Sequence, residues 1–191
     1  MVIKHDDASF QGLVNQKLSV VQNCAYSFTL CDFSSSRLIL DLIHQVKYKS
    51  DRNLGVELGT LLAKYVNWDL LSDYDLLIPV PLHKTRLKVR GFNQSEVIAK
   101  ALIENTTISL CTNVVIRKIA TTTQTAKTKI DRHINMQKVF QIIDNQVIKN
   151  KKIIILDDVI TTGATIISLC EEINKQGARS IAVITLASGA S

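Results

Sequence analysis

Residues 153–165 read IIILDDVITTGAT, and the order of residue types in that stretch decides the fold. Four consecutive apolar residues, Ile153 to Leu156, stand between a lysine cluster and a pair of acids, the pattern of a central parallel strand buried on both faces. Asp157 and Asp158 follow at once, so a carboxylate pair sits at the edge of the sheet, where it can accept hydrogen bonds from vicinal hydroxyls of a sugar. Thr161, Thr162, Gly163, Ala164 and Thr165 then lead into a helix over 164–176, in which Ile166, Ile167, Leu169, Cys170 and Ile173 share an apolar face. The N–H groups of that turn, the positive end of the helix and the threonine hydroxyls make an anion site, and Gly163 permits close approach. A solvated turn with a helix cap explains any one of these features alone. Strand, acid pair, two-residue spacer, Thr-Thr-Gly-x-Thr and helix in succession point instead to sugar hydroxyls beside a phosphate. No Gly-Lys-Ser/Thr follows the strand, which excludes a Walker-type loop.

Outward from this centre, strands and helices alternate. Gly177 can close the helix, and IAVITL at 181–186 is the next strand. Toward the N-terminus, DLLIPVPL predicts a short strand from Leu76 to Ile78 that leaves its sheet at Pro79, followed by a basic loop at 81–91. A helix resumes near Asn93 with Val97, Ile98, Ala101 and Leu102 on one face, and VVIRKI at 114–119 reads as a second buried strand. Residues 120–137 are polar enough and long enough for a functional loop or lid, and KVFQI at 138–142 reads as an edge strand. Earlier still, two amphipathic helices are expected, one from the serines at 34–36 to about Lys49 and one from Leu54 to about Val66. Residues 1–33 stand apart as an N-terminal segment whose VVQNCAYSFTL leans toward strand. The fold class expected is α/β, a mostly parallel sheet with helices on both faces. Ligand residues in such a sheet follow the strands' carboxyl ends, here at 79–91, 120–132 and 157–165.

Composition sets the outer bounds. A 191-residue chain with 46% hydrophobic and 21% charged residues can bury a sizeable core. Its formal charge of +6 suits anionic partners such as phosphate, pyrophosphate or nucleic acid. Cys24, Cys31, Cys111 and Cys170 form no C-x-x-C pair, and no leader or long apolar run is visible, so a cytoplasmic protein without a membrane span is expected.

IIILDDVITTGAT resembles the phosphoribosyl-pyrophosphate motif of type I phosphoribosyltransferases. With HQVKYK at 44–49, IPVPLH at 78–83, RGFNQ at 90–94 and QTAKTKIDRHIN from Gln124 to Asn135, residues 35–187 resemble the ComF family of bacterial competence proteins. The resemblance implies a type I phosphoribosyltransferase-like domain over 34–191. In it Asp157 and Asp158 contact the ribose hydroxyls, residues 161–165 hold the 5-phosphate, and Mg²⁺ accompanies the pyrophosphate through the acids and the ligand. It places the pyrophosphate loop at Pro79 to His83 and the catalytic lid at 120–137. Asp157, Asp158 and Arg132 are then the candidate catalytic residues. Pro81, His83, Lys84, Arg86, Lys88, Arg90, Lys127 and Lys129 are candidate contacts to pyrophosphate or nucleic acid. Arg90 also suits bidentate phosphate recognition on its own chemistry, and Phe92 beside it is the best pair visible for stacking a base. Family members commonly begin with a four-cysteine zinc module, whereas here only Cys24 and Cys31 fall in the first 34 residues, so no zinc is expected.

Two functions compete, beside a third from another class, a regulator that keeps the pocket only as a sensor. One is a competence protein that handles imported single-stranded DNA, with competence proteins as partners and the phosphoribosyl-pyrophosphate pocket as a ligand or regulatory site. The other is an active phosphoribosyltransferase, in which a nitrogen nucleophile displaces pyrophosphate at C1 of the ribose.

Overall fold

The computed structural model describes residues 8–32, 37–119 and 139–189. Its elements run α1 (Ala8–Leu18), β1 (Cys24–Asp32), α2 (Arg37–Tyr48), α3 (Arg52–Ala63), a 3-10 turn (Trp68–Leu70), β2 (Leu76–Pro79), α4 (Lys84–Arg90) and α5 (Gln94–Leu102). They continue with β3 (Ser109–Leu110), β4 (Val115–Arg117), β5 (Phe140–Ile142), β6 (Lys152–Ile160), α6 (Ala164–Lys175) and β7 (Ser180–Ser188). Five strands form one all-parallel sheet in the order β1-β7-β6-β2-β3, while β4 and β5 pair antiparallel in a separate two-stranded sheet.

The apolar run Ile153–Leu156 makes β6 the central strand, because every second side chain there meets a different layer. Ile154 and Leu156 pack with Ile43 of α2, Leu58 and Leu62 of α3 and Ile98 and Leu102 of α5. Ile153 and Ile155 pack with Val14 and Leu18 of α1 and Leu169 and Ile173 of α6 on the other face. All four are 0% exposed, so each contributes about 1.5–3 kcal/mol of burial free energy and the strand cannot slip register cheaply. The expected mostly parallel sheet covered on both faces is thus the observed one. Local signals also act where expected: Asp51 accepts from Leu54 N at 3.0 Å to start α3, and Gly177, at φ +79°, ends α6.

Several elements differ from the sequence expectation. The basic stretch read as a loop at 81–91 contains the helix α4, because KTRLKVR holds no Gly or Pro and is bracketed by good end signals. His83 Nδ1 accepts from Thr85 N at 3.3 Å at its start, and Gly91 ends it at φ +76°. VVIRKI is not a strand of the main sheet. The short β3 takes the edge place beside β2, and Val115–Arg117 pairs with Phe140–Ile142, since β-branched content favours a strand without saying which sheet receives it. The strand expected to end at Leu156 continues through both acids to Ile160, held by β7, which itself runs to Ser188. In the N-terminal stretch the helix α1 precedes β1, and β1 forms the edge of the main sheet, with Phe28 opposite Ile184 of β7.

Candidate ribose-phosphate site

Extension of β6 brings Asp157 and Asp158 to the carboxyl end of the sheet while they remain on a paired strand, with Asp157 opposite Thr185 and Ile160 opposite Ser188. Asp157 Oδ1 accepts from Ser95 Oγ at 3.2 Å and from Asp158 N at 2.9 Å. Asp158 Oδ2 lies 2.8 Å from the Lys47 ammonium, with the two side chains only 6% and 17% exposed. Both acids are therefore tied to the same helical layer, one through α5 and one through α2. Ser95 is placed by the α5 cap: Asn93 Oδ1 accepts from Ser95 N at 3.2 Å, and Asn93 Nδ2 donates to Val80 O at 3.1 Å. That second bond fixes the turn after β2 against the start of α5.

Two adjacent carboxylates in a dry site cannot both ionise freely. The Asp157 carboxyl is pushed from 3.8 up to about 7, first by loss of water and next by the charge of Asp158, against the pull of Lys47, the Asp158 N–H and the Ser95 hydroxyl. Arg117 of β4 belongs to the same field. Burial lowers the pKa of its guanidinium, Asp157 opposes that shift, and Arg86 of α4 adds to it. The Arg117 guanidinium also lies 5.5 Å from the Phe140 ring centroid.

Beyond the acids, Thr161 and Thr162 are exposed, and Thr162 Oγ1 accepts from Ala164 N at 3.4 Å. Gly163 occupies the N-cap of α6 at φ +79° and has no side chain to satisfy the leading amides of the helix. Ala164 and Thr165 are half-buried in the first turn. Such an arrangement can bind an anion at the turn and hydroxyl groups at the acids. Gly163→Ala tests the turn, since the added Cβ would lie 3.3 Å from Ile167 Cδ1 in a left-handed backbone. The variant is expected to lose about 1–2 kcal/mol in urea unfolding and to bind ribose 5-phosphate more weakly than the parent.

The remaining expected contacts are spread over α4 and its ends. Pro81 and His83 are half-buried, and His83 serves as the cap, with Nδ1 2.9 Å from Thr85 Oγ1. Lys84, Arg86 and Lys88 are exposed on α4. Arg90 donates to Gln94 Oε1 at 3.0 Å and lies 5.5 Å over the ring of Tyr48. Phe92, expected as a stacking partner, is instead 8% exposed in the core with Arg52 5.0 Å over its ring, so Tyr48, 72% exposed, is the aromatic available beside Arg90. Arg132, Lys127, Lys129 and the lid expected at 120–137 lie outside the described residues. Among the described residues, β4 pairs with β5, and Lys118 N donates to Val139 O at 2.8 Å.

Cys24 and Cys31 both lie in β1. Cys31 Sγ donates to Leu186 O at 3.4 Å, and burial pushes its thiol up to about 12. Among the described residues no group of three or more His, Cys, Asp or Glu side chains could hold a metal ion, and no helix is long and apolar enough to cross a membrane. Lys47, Ser95 and Arg117 are the site residues that sequence reading did not single out.

The phosphoribosyl transferase domain family matches residues 90–191 of the chain. Among curated proteins the chain is 32% identical over 114 residues to Competence protein F of Haemophilus influenzae, which covers 59% of this chain and 50% of that protein. It is 29% identical over 146 residues to DNA utilization protein YhgH of Escherichia coli (strain K12), covering 74% of this chain and 63% of the relative. The chain thus spans between 50% and 63% of the length of these relatives. Among solved structures, an allosteric regulatory enzyme of purine biosynthesis aligns over 69% of this chain and 25% of its own at 19% identity and a TM-score of 0.48. A hypoxanthine phosphoribosyltransferase from Staphylococcus aureus aligns over 70% of this chain and 64% of its own at 20% identity and a TM-score of 0.42.

Proposed function

Because the chain belongs to the phosphoribosyl transferase domain family and has its α/β fold, we propose that it binds phosphoribosyl pyrophosphate or a related ribose phosphate and acts as a ComF-like protein in natural transformation. The observation that carries this reading is the acid pair Asp157 and Asp158, held by Ser95 and Lys47 directly before the glycine turn into α6. Ribose hydroxyls donate to the carboxylates, and the 5-phosphate takes the amides at 161–165.

The donor set fits Mg²⁺ carried in by the ligand. One oxygen of Asp158 is already engaged by Lys47, and one of Asp157 accepts from Ser95, so the two acids do not form a cage by themselves. The ion would sit against the acid pair and the pyrophosphate, where it would neutralise phosphate charge. Arg117, which feels the charges of Asp157 and Arg86, would add a further cation to that field.

The partner we assign is imported single-stranded DNA, handled in the cytoplasm together with other competence proteins. Support comes from the names of the relatives and from a basic surface with an exposed aromatic, made by Lys84, Lys88, Arg90 and Tyr48. Two titrations test the reading. Phosphoribosyl pyrophosphate with Mg²⁺ is expected to bind saturably, and an oligodeoxynucleotide is expected to bind with log affinity falling linearly in log salt, at about 0.7 per phosphate contacted. Absent or salt-independent DNA binding removes the nucleic-acid part. Release of pyrophosphate with any nucleobase would turn the binding protein into a transferase.

A further inference from the structure

We propose that Lys47 is a resident counter-cation of the acid pair and sets how strongly sugar-phosphate binding depends on a divalent ion; this presupposes the ribose-phosphate reading above. Lys47 continues a buried row of α2. Ile39 and Ile43 are each 1% exposed, and the next position at helical spacing is Lys47, whose ammonium reaches Asp158 Oδ2 at 2.8 Å. A lysine so placed gives up hydration, which a facing carboxylate compensates.

Among the described residues, the groups that bear on the pair come from three elements besides β6. Lys47 comes from α2, the Ser95 hydroxyl from α5 and the charge of Arg117 from β4. Of the site partners described above, Lys47 also lies outside the span 90–191 that the family matches, whereas Ser95, Arg117 and both acids lie inside it. An ammonium in contact with Asp158 performs the electrostatic task that a divalent ion would perform there. Lying 2.8 Å from Asp158 Oδ2, it offsets the negative charge that the acid pair presents to a phosphorylated ribose. A divalent ion on Asp158 Oδ2 would have to displace the lysine, so wild-type protein should bind its ligand with modest help from Mg²⁺.

Lys47→Met removes the charge at similar volume, Lys47→Arg keeps it, and Lys47→Met/Asp158→Asn removes both charges as a folded-state control. Thermal melts establish that each variant is folded. In the absence of ligand, Mn²⁺ followed by electron paramagnetic resonance is expected to show no saturable site in wild type, a new site in Lys47→Met, and none in the double variant. With ligand, Lys47→Met is expected to lose at least about 30-fold in affinity for phosphoribosyl pyrophosphate in EDTA but less than about 3-fold at saturating Mg²⁺, with Lys47→Arg close to wild type. Equal loss in EDTA and Mg²⁺, or no new Mn²⁺ site in Lys47→Met, overturns the proposal and leaves Lys47 a structural ion pair. If wild-type protein binds no phosphoribosyl pyrophosphate, the ribose-phosphate reading fails, and the Mn²⁺ comparison still decides whether Lys47 occupies the place of a cation.

Discussion

Replacement of Asp157 and Asp158 together by alanine is expected to lower the affinity for phosphoribosyl pyrophosphate by at least about 100-fold, read by calorimetry, because each lost charge-assisted hydrogen bond is worth about 1.5–3 kcal/mol. The single asparagine variants should separate the two acids by stability, with opposite signs. Asp158 is buried against the half-buried Lys47, so Asp158→Asn leaves that ammonium without its counter-charge and is expected to cost about 3 kcal/mol. Asp157 behaves otherwise. Its folded-state pKa lies above its unfolded value, so it holds its proton more tightly folded than unfolded, and the free protein loses stability as pH rises from 3.8 through about 7. Asp157→Asn removes that penalty and is expected to raise the melting temperature of the free protein at pH 8. Ligand affinity runs the other way with pH, since the ionised pair is the acceptor, and it should weaken as pH falls below about 7. The ligand phosphate titrates nearby, so the part of the pH dependence that disappears in Asp157→Asn is the part owed to the protein. Retained affinity in the double alanine variant would remove the acids from the site.

The contrast between the two acids shows what sequence patterns carry and where they stop. IIIL followed by DD announces a buried central strand and an acid pair near its carboxyl end, because the part of a strand buried on both faces must be apolar. The patterns do not reveal how far β6 runs, since pairing with β7 through Ile160 is a non-local matter. Nor do they separate the environments of Asp157 and Asp158, which depend on Ser95 and Lys47, 62 residues before Asp157 and over a hundred before Asp158. A signal for both partners was nevertheless present. Ser95 is fully buried on the face of α5 that carries Ile98, Ala99 and Leu102, and Lys47 follows Ile39 and Ile43 at helical spacing. A polar residue that extends an apolar helical row needs a buried polar partner, and the acid pair supplies it. The misplacement of VVIRKI has a different origin, since apolar β-branched residues make a strand in either sheet and only the competing β3 edge decides.

Gly59→Ala is expected to destabilise the protein by about 2–3 kcal/mol and to weaken ligand binding from a distance, whereas Gly55→Ala, one turn earlier in α3, should be close to neutral. A Cβ at Gly59 would lie closer than 3.0 Å to the Ile98 backbone oxygen and 2.8 Å from Ala101 Cβ, so α3 must move away from α5. At Gly55 the nearest atom is Val97 Cγ1 at 3.0 Å, a side-chain methyl that can shift by a small rotation. Both substitutions gain about 1 kcal/mol of helix propensity, which offsets the milder clash and leaves the backbone clash uncompensated. The consequence for the site follows from what α5 holds. Ser95 hydrogen-bonds Asp157, and Asn93 bonds Val80 O at the end of β2, so displacement of α5 loosens an acid partner and the neighbouring turn together. Urea unfolding of both variants, with phosphoribosyl pyrophosphate titrated into each, gives the check. Equal losses at the two positions would mean that the α3–α5 approach is not what seats Ser95, and weakened binding by Gly59→Ala alone would mean that the acid pair depends on a helix contact that touches no ligand.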